Sequence, residues 1–169
     1  MLATDVHVRL KEVMRDDPSA LFERIADEHS ATARAVVEAL PDEMRRFAGG
    51  QHFVEAMNDI STWGDVTLIV HTRDAIFEFG GPVPPGQIGR GYFNLSGANG
   101  LHGHLRHERC GVIAFVERPF MGKSSASVLF INTDGDFMFK VFVGRDEQRA
   151  LKADQMERFR ALAARLETA

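Results

Sequence analysis

The stretch C110-GVIAFVERPFMGKSSASVLFINTDGDFMFKVFV-G144 decides the fold. It divides into the runs CGVIAFVERPF, SASVLFINT and DFMFKVFVG, each rich in β-branched and aromatic residues and bounded by turn formers. Thr133-Asp134-Gly135, between the last two, is a hairpin turn signal. Together they predict antiparallel strands. The same period of two reaches back to Gly64 through VTLIVHT, AIFEF, GYFNLSG and LHGHLRH. The PVPPG segment, Pro82 to Gly86, interrupts them as a loop, because proline has no N–H to give to a ladder.

Upstream of Gly64 the period is 3.6. Val6, Leu10, Val13 and Met14 recur at helical spacing until Asp16-Asp17-Pro18 ends the pattern. Leu21, Phe22 and Ile25 mark a second short helix, and Ser30 or Thr32 is placed to cap a third that carries Val36, Val37 and Leu40 up to Pro41. Phe53, Met57 and Ile60 mark a fourth. At the far end Leu151, Met156, Phe159, Leu162 and Leu166 form one amphipathic stripe. The expectation is a single α+β domain. It has an N-terminal helical layer over about residues 1–62, a large curved antiparallel sheet over about 65–144, and a C-terminal helix over about 145–167.

Composition narrows the function classes. A chain of 169 residues, 44% hydrophobic and 26% charged, is long enough to bury a core without staples. Its formal charge of -4 disfavours nucleic acid and anionic membranes as partners. The helices flanking HSAT look superficially like a helix-turn-helix, but TARAVVEAL has one basic residue and two apolar stripes, not a groove-reading face. Cys110 is the single cysteine, which excludes an internal disulfide and fits a reducing compartment. The start MLATDVHVRLKEVM lacks the apolar run of a secretion signal, and no stretch is long enough for a membrane span. A cytoplasmic protein without membrane insertion is expected. Thirteen phenylalanines, against one tryptophan and one tyrosine, require a sizeable core, a subunit interface or an apolar pocket.

Histidine carries the chemistry. His102, His104 and His107 fall within six positions, after the only tyrosine, Tyr92. Strand alternation puts His102 and His104 on one face with Leu101, Gly103 and Leu105 on the other; His71 shares a face with Thr67 and Ile69. Zinc is poorly served, for there is no CxxC and no HExxH. Haem needs less: one or two axial ligands, an apolar floor, and cations for two propionates. His71 and His104 supply imidazoles, Tyr92 an alternative phenolate, and Arg90, Arg106 and Lys140 candidate cations. Phe93, Phe137 and Phe139 are candidates for the floor. His7, His29 and His52 read as surface residues, His107 as a solvated turn, and Cys110 as inert packing. MGKSSAS echoes the end of a phosphate loop but lacks its glycine spacing.

VTLIVHTRDAIFEFGGPVP, GYFNLSGANGLHGHLRHERC and AFVERPFMGKSSASVLFINTDGDFMFKVFVGRDEQRAL resemble the HutX/ChuX-type intracellular haem-utilisation carriers, from about Trp63 to Phe159. GYFNL, GHL, VERPFMG, ASVLF and FKVFVGRD occur in the family's order. The resemblance implies a HemS/ChuS/ChuX-like fold, related to one half of the two-repeat HemS/ChuS proteins, and a homodimer that imitates the larger monomer. It implies a cytoplasmic, non-catalytic carrier of haem b that receives imported haem, from an importer, and passes it on, often to a haem-degrading enzyme. His71, of the VHT block, and His104, of the GHL block, fall on the implicated iron positions. His102 stands where the pattern does not insist on histidine, and Tyr92 stays open as an alternative ligand. A haem-degrading oxygenase and a haem- or metal-responsive regulator are the rival readings.

Overall fold

The computed structural model describes residues 3–98 and 100–167. Three helices come first: α1 (Ala3–Asp16), α2 (Phe22–His29) and α3 (Ala33–Glu38). Strand β1 (Arg45–Gly49) and helix α4 (Phe53–Ile60) follow. Then come β2 (Asp65–His71), β3 (Ile76–Pro82), β4 (Gly86–Gly89), β5 (Tyr92–Ser96), β6 (His102–Leu105), β7 (Cys110–Phe120), β8 (Lys123–Asn132) and β9 (Phe137–Phe142), before α5 (Ala153–Leu166) closes the chain. Thr32 caps α3, its hydroxyl oxygen accepting from the Ala35 N–H at 3.2 Å.

Among the described residues two sheets form, both antiparallel. The larger has the order β1-β7-β8-β9-β2-β3, and the smaller β4-β5-β6. The α+β class with a large antiparallel sheet is as expected from the alternating runs. Three details differ. β1 lies inside the stretch read as helical: its five residues, RRFAG, are too few to display a period and pair along β7 from Arg45↔Val116 to Gly49↔Val112. β5 and β6 leave the large sheet, because Pro84 and Pro85 break the ladder after β3 and the chain starts afresh at Gly86. The C-terminal helix starts at Ala153, since the chain from Arg145 to Leu151 turns back on itself through an isolated bridge.

The large sheet has a core on each face. Val112, Ala114, Val116, Leu129 and Ile131 face the first helices, meeting Leu10, Met14, Phe22, Ile25, Val36 and Val37. Ile113, Phe115, Val128, Phe130 and Val141 face the other way, onto α4, α5 and the inner face of the small sheet. Each fully buried side chain of this size contributes roughly 1.5–3 kcal/mol. A β-bulge at Met138, where Phe130 pairs with Phe139 but Ile131 with Phe137, shifts the alternation of β9. Phe137 therefore belongs to the helical face and Phe139 to the opposite one, although they are two residues apart. The turn between β7 and β8 is Met121-Gly122, both with positive φ (49° and 75°), so MGKSSAS is a hairpin and not a phosphate cradle.

Candidate functional site

His71 ends β2 on the helical face, where it meets α2. Phe22, Ile25 and Ala26 are buried and fix α2 against the sheet, which brings Glu23 over the strand ends. Glu23 Oε1 accepts from His71 Nδ1 at 2.9 Å and from Lys140 Nζ, while Glu23 Oε2 is buried with no partner among the described residues. A carboxylate can only accept here, so the neutral ring carries its proton on Nδ1. Among the described residues Nε2 of His71 has no hydrogen-bond partner. Beside it opens a cleft of about 630 Å³ lined by residues that include Glu23, Ala31, His71, Arg73 and Phe137. Arg73 is exposed and makes no ion pair among the described residues.

Lys140 is spent in this cluster. It is buried on β9, ion-paired to Glu23, with its ammonium 4.4 Å from the Phe137 ring centroid. Burial lowers its pKa from the ordinary value, opposed by Glu23. Its expected role as a propionate cation is therefore corrected: it neutralises a carboxylate inside the fold. Arg118 backs the cluster, stacked 3.6 Å over Phe22 and donating to the carbonyls of Pro18 and Ala20 at 2.8 and 2.6 Å. Its burial lowers its pKa to about 10.

The second group lies on the small sheet. Phe93, Leu95 and Leu105 point into the core, so Tyr92, Asn94, His102 and His104 lie on the outer face. His104 pairs across β5 with Asn94 and stands 6.0 Å, ring to ring, from Tyr92. Asn94 Nδ2 donates to the carbonyls of Gln87, Gly89 and Tyr92, at 3.2, 3.0 and 3.2 Å. That turns Oδ1 toward the histidine, where it accepts from His104 Nδ1 at 2.6 Å. Nε2 of His104 is again the nitrogen without a partner among the described residues. Arg90 is exposed at the tip of the β4–β5 turn, where it and Gly91 both have positive φ (54° and 80°). Arg106 is exposed just past β6, and neither arginine makes an ion pair among the described residues.

The two groups do not meet within one chain. The small sheet packs on the face of the large sheet opposite α2, and His104 points outward from it. Phe93 and Phe139, expected as a ligand floor, are core residues packed around Phe53; Phe137 alone of the three reaches the cleft. His107 is half-buried in a 3-10 turn with its ring 6.4 Å from Phe53, not a solvated turn. Cys110 is buried, and burial pushes its thiol up to about 12. Glu23, Arg73 and Asn94 escaped the sequence reading. Glu23 sits on an amphipathic helix where any exposed acid looks alike.

The family model for haem utilisation ChuX/HutX matches residues 46–162. The chain belongs to this family. It is 37% identical over 155 residues to the intracellular heme transport protein HutX of Vibrio cholerae serotype O1, covering 91% of this chain and 80% of that one. A protein of Erwinia carotovora superposes with a TM-score of 0.90 at 48% identity, over 94% of this chain and 98% of that one. The heme-binding protein ChuX superposes at 0.85 with 40% identity, over 93% and 98%. The family's fold also extends to ChuS, the heme degrading enzyme of Escherichia coli O157:H7. There the TM-score is 0.74 at 15% identity, over 89% of this chain and 47% of that one. At that identity the likeness is one of fold alone. No described helix is long and apolar enough to cross a membrane.

Proposed function

We propose that the chain is a cytoplasmic haem carrier: it takes up imported haem b and hands it on without chemical change, with His71 as the principal iron ligand. The observation that carries this is the imidazole at the cleft wall, its Nδ1 held by a carboxylate and its Nε2 without a partner among the described residues. Metal-bound histidines have this arrangement almost without exception. Ala31 and Phe137 give the cleft apolar surface for an iron porphyrin, while Glu23, Asp27 and Asp136 would repel propionates, which leaves these to Arg73, to solvent and to cations of a partner chain. The names of HutX and ChuX, a heme transport protein and a heme-binding protein, support a carrier rather than an oxygenase.

His104 is the second ligand of this reading, with Tyr92 beside it as the alternative and Arg90 and Arg106 as its propionate cations. Because the large sheet lies between His71 and His104 of one chain, one iron takes both only across a homodimer, His71 from one chain and His104 from its partner. The exposed apolar side chains of the edge strand β3, Ile76 and Phe77, support a second copy docking there.

Hemin titration followed by absorbance tests the function: a saturable Soret shift at about one haem per chain is expected, and no saturable shift defeats it. The ligand set is read from His71→Ala, His104→Ala and a mixed dimer of the two. Across a dimer, the mixture rebuilds one site with both imidazoles and leaves the other with neither, so half of the haem regains the wild-type spectrum. If both ligands came from one chain, every site would lack one ligand and no such half would appear. Stable Soret absorbance under reductant and oxygen is expected; loss to a linear tetrapyrrole would mean an enzyme.

A further inference from the structure

The two histidines are held by different chemistry. His71 Nδ1 donates to a carboxylate and His104 Nδ1 to a neutral amide. We infer that Glu23 is a positioning residue that fixes His71 as the Nδ1–H tautomer and makes it the stronger iron donor, while Asn94 fixes the same tautomer on His104 but leaves it the weaker, exchangeable one. The inference rests on the reading of both histidines as haem ligands.

Each step follows from placement. Glu23 sits in the first turn of α2 between residues anchored in the core, so its carboxylate has little freedom to leave His71. Lys140 approaches the same oxygen, Oε1, and balances the charge of the carboxylate while it is held against His71. A hydrogen bond from Nδ1–H to a carboxylate moves electron density into the ring and raises the basicity of Nε2. An amide oxygen is a weaker acceptor than a carboxylate. The amide of Asn94 cannot flip to offer its NH₂, because that group is already bound to three carbonyls. Both rings therefore present Nε2, with unequal strength. For a carrier the asymmetry has a use: haem stays on His71 while the His104 bond opens and a recipient approaches, so transfer need not begin from free haem.

Nitrogen-15 NMR of the apoprotein at mildly alkaline pH tests the tautomers without haem. His71 and His104 are both expected as Nδ1–H, with His71 reverting to a mixture in Glu23→Ala. In the haem complex, Glu23→Gln keeps an acceptor but removes the charge. Read in the His104→Ala background, where His71 is the axial ligand, the ferrous iron–histidine stretch is expected to fall and the midpoint potential to rise, with the Nδ1–H tautomer retained. Should Lys140, left without its anion, upset folding in Glu23→Gln, the double variant Glu23→Gln, Lys140→Met removes both charges and is expected to give the same two shifts. A wild-type stretch and potential in both variants, while His71→Ala changes the spectrum, overturns the role of Glu23 and leaves the haem reading standing. A wild-type spectrum in His71→Ala removes the ligand, and this inference with it.

Discussion

Replacing Lys140 by methionine measures the cluster under α2. The Lys140 side chain is almost wholly buried, 7% exposed, and that of Glu23 retains 21%. Methionine keeps the apolar stem against Phe137 but leaves the carboxylate with His71 alone. Breaking a buried pair by removing one partner costs about 3–5 kcal/mol. The residual exposure of Glu23 argues for the lower end, about 3 kcal/mol. With a urea slope of about 2 kcal/mol per molar, the unfolding midpoint should fall by about 1.5 M. Far-ultraviolet circular dichroism and the fluorescence of Trp63 should report one coincident transition, which licenses the free-energy comparison. Removing both charges, with Glu23→Gln added, should recover most of the loss, because no uncompensated charge is then buried. A Lys140→Met midpoint within about 0.3 M of wild type would refute the reasoning, since a loss that small belongs to a solvated surface pair.

Phe53→Ala removes the ring that meets Phe93, Phe130 and Phe139 at 5.7, 5.2 and 6.1 Å. A cost of about 3–5 kcal/mol is expected, together with faster amide exchange in β5 and β6, which this ring joins to the large sheet; unchanged exchange there would contradict that joint. Burial holds the Cys110 thiol at about 12, against an ordinary value of 9.0. The folded state therefore keeps a proton that the unfolded chain releases, so stability is independent of this group below about pH 9 and falls as pH rises from there towards 12. Its labelling by a thiol reagent near pH 8 should run at the rate of unfolding, and rapid labelling of the native protein would place the thiol in solvent.

Much of this protein is legible one element at a time. The alternation of VTLIVHT, LHGHLRH and SASVLFINT, and the helical spacing of Phe53, Met57 and Ile60, declare strands and a helix because a side chain's direction repeats with the local backbone period. The same alternation set His102 and His104 on one face of β6. Short elements were silent: β1 and β4, at five and four residues, are formed by the strands that pair with them and not by any pattern of their own.

What each face meets was decided by tertiary structure. Glu23 reaches His71 only because α2 lies across the end of β2, and Asn94 reaches His104 only through the register of β5 with β6. The bulge at Met138 splits Phe137 from Phe139, two residues that strict alternation would leave on the same side. Lys140, two residues after the bulge, ends up buried against an acid far away in the chain, and the candidate histidines end up on opposite sides of one sheet. A local period records which side chains share a face. It carries no information about what covers that face, because the partner is chosen by packing and register summed over the whole chain.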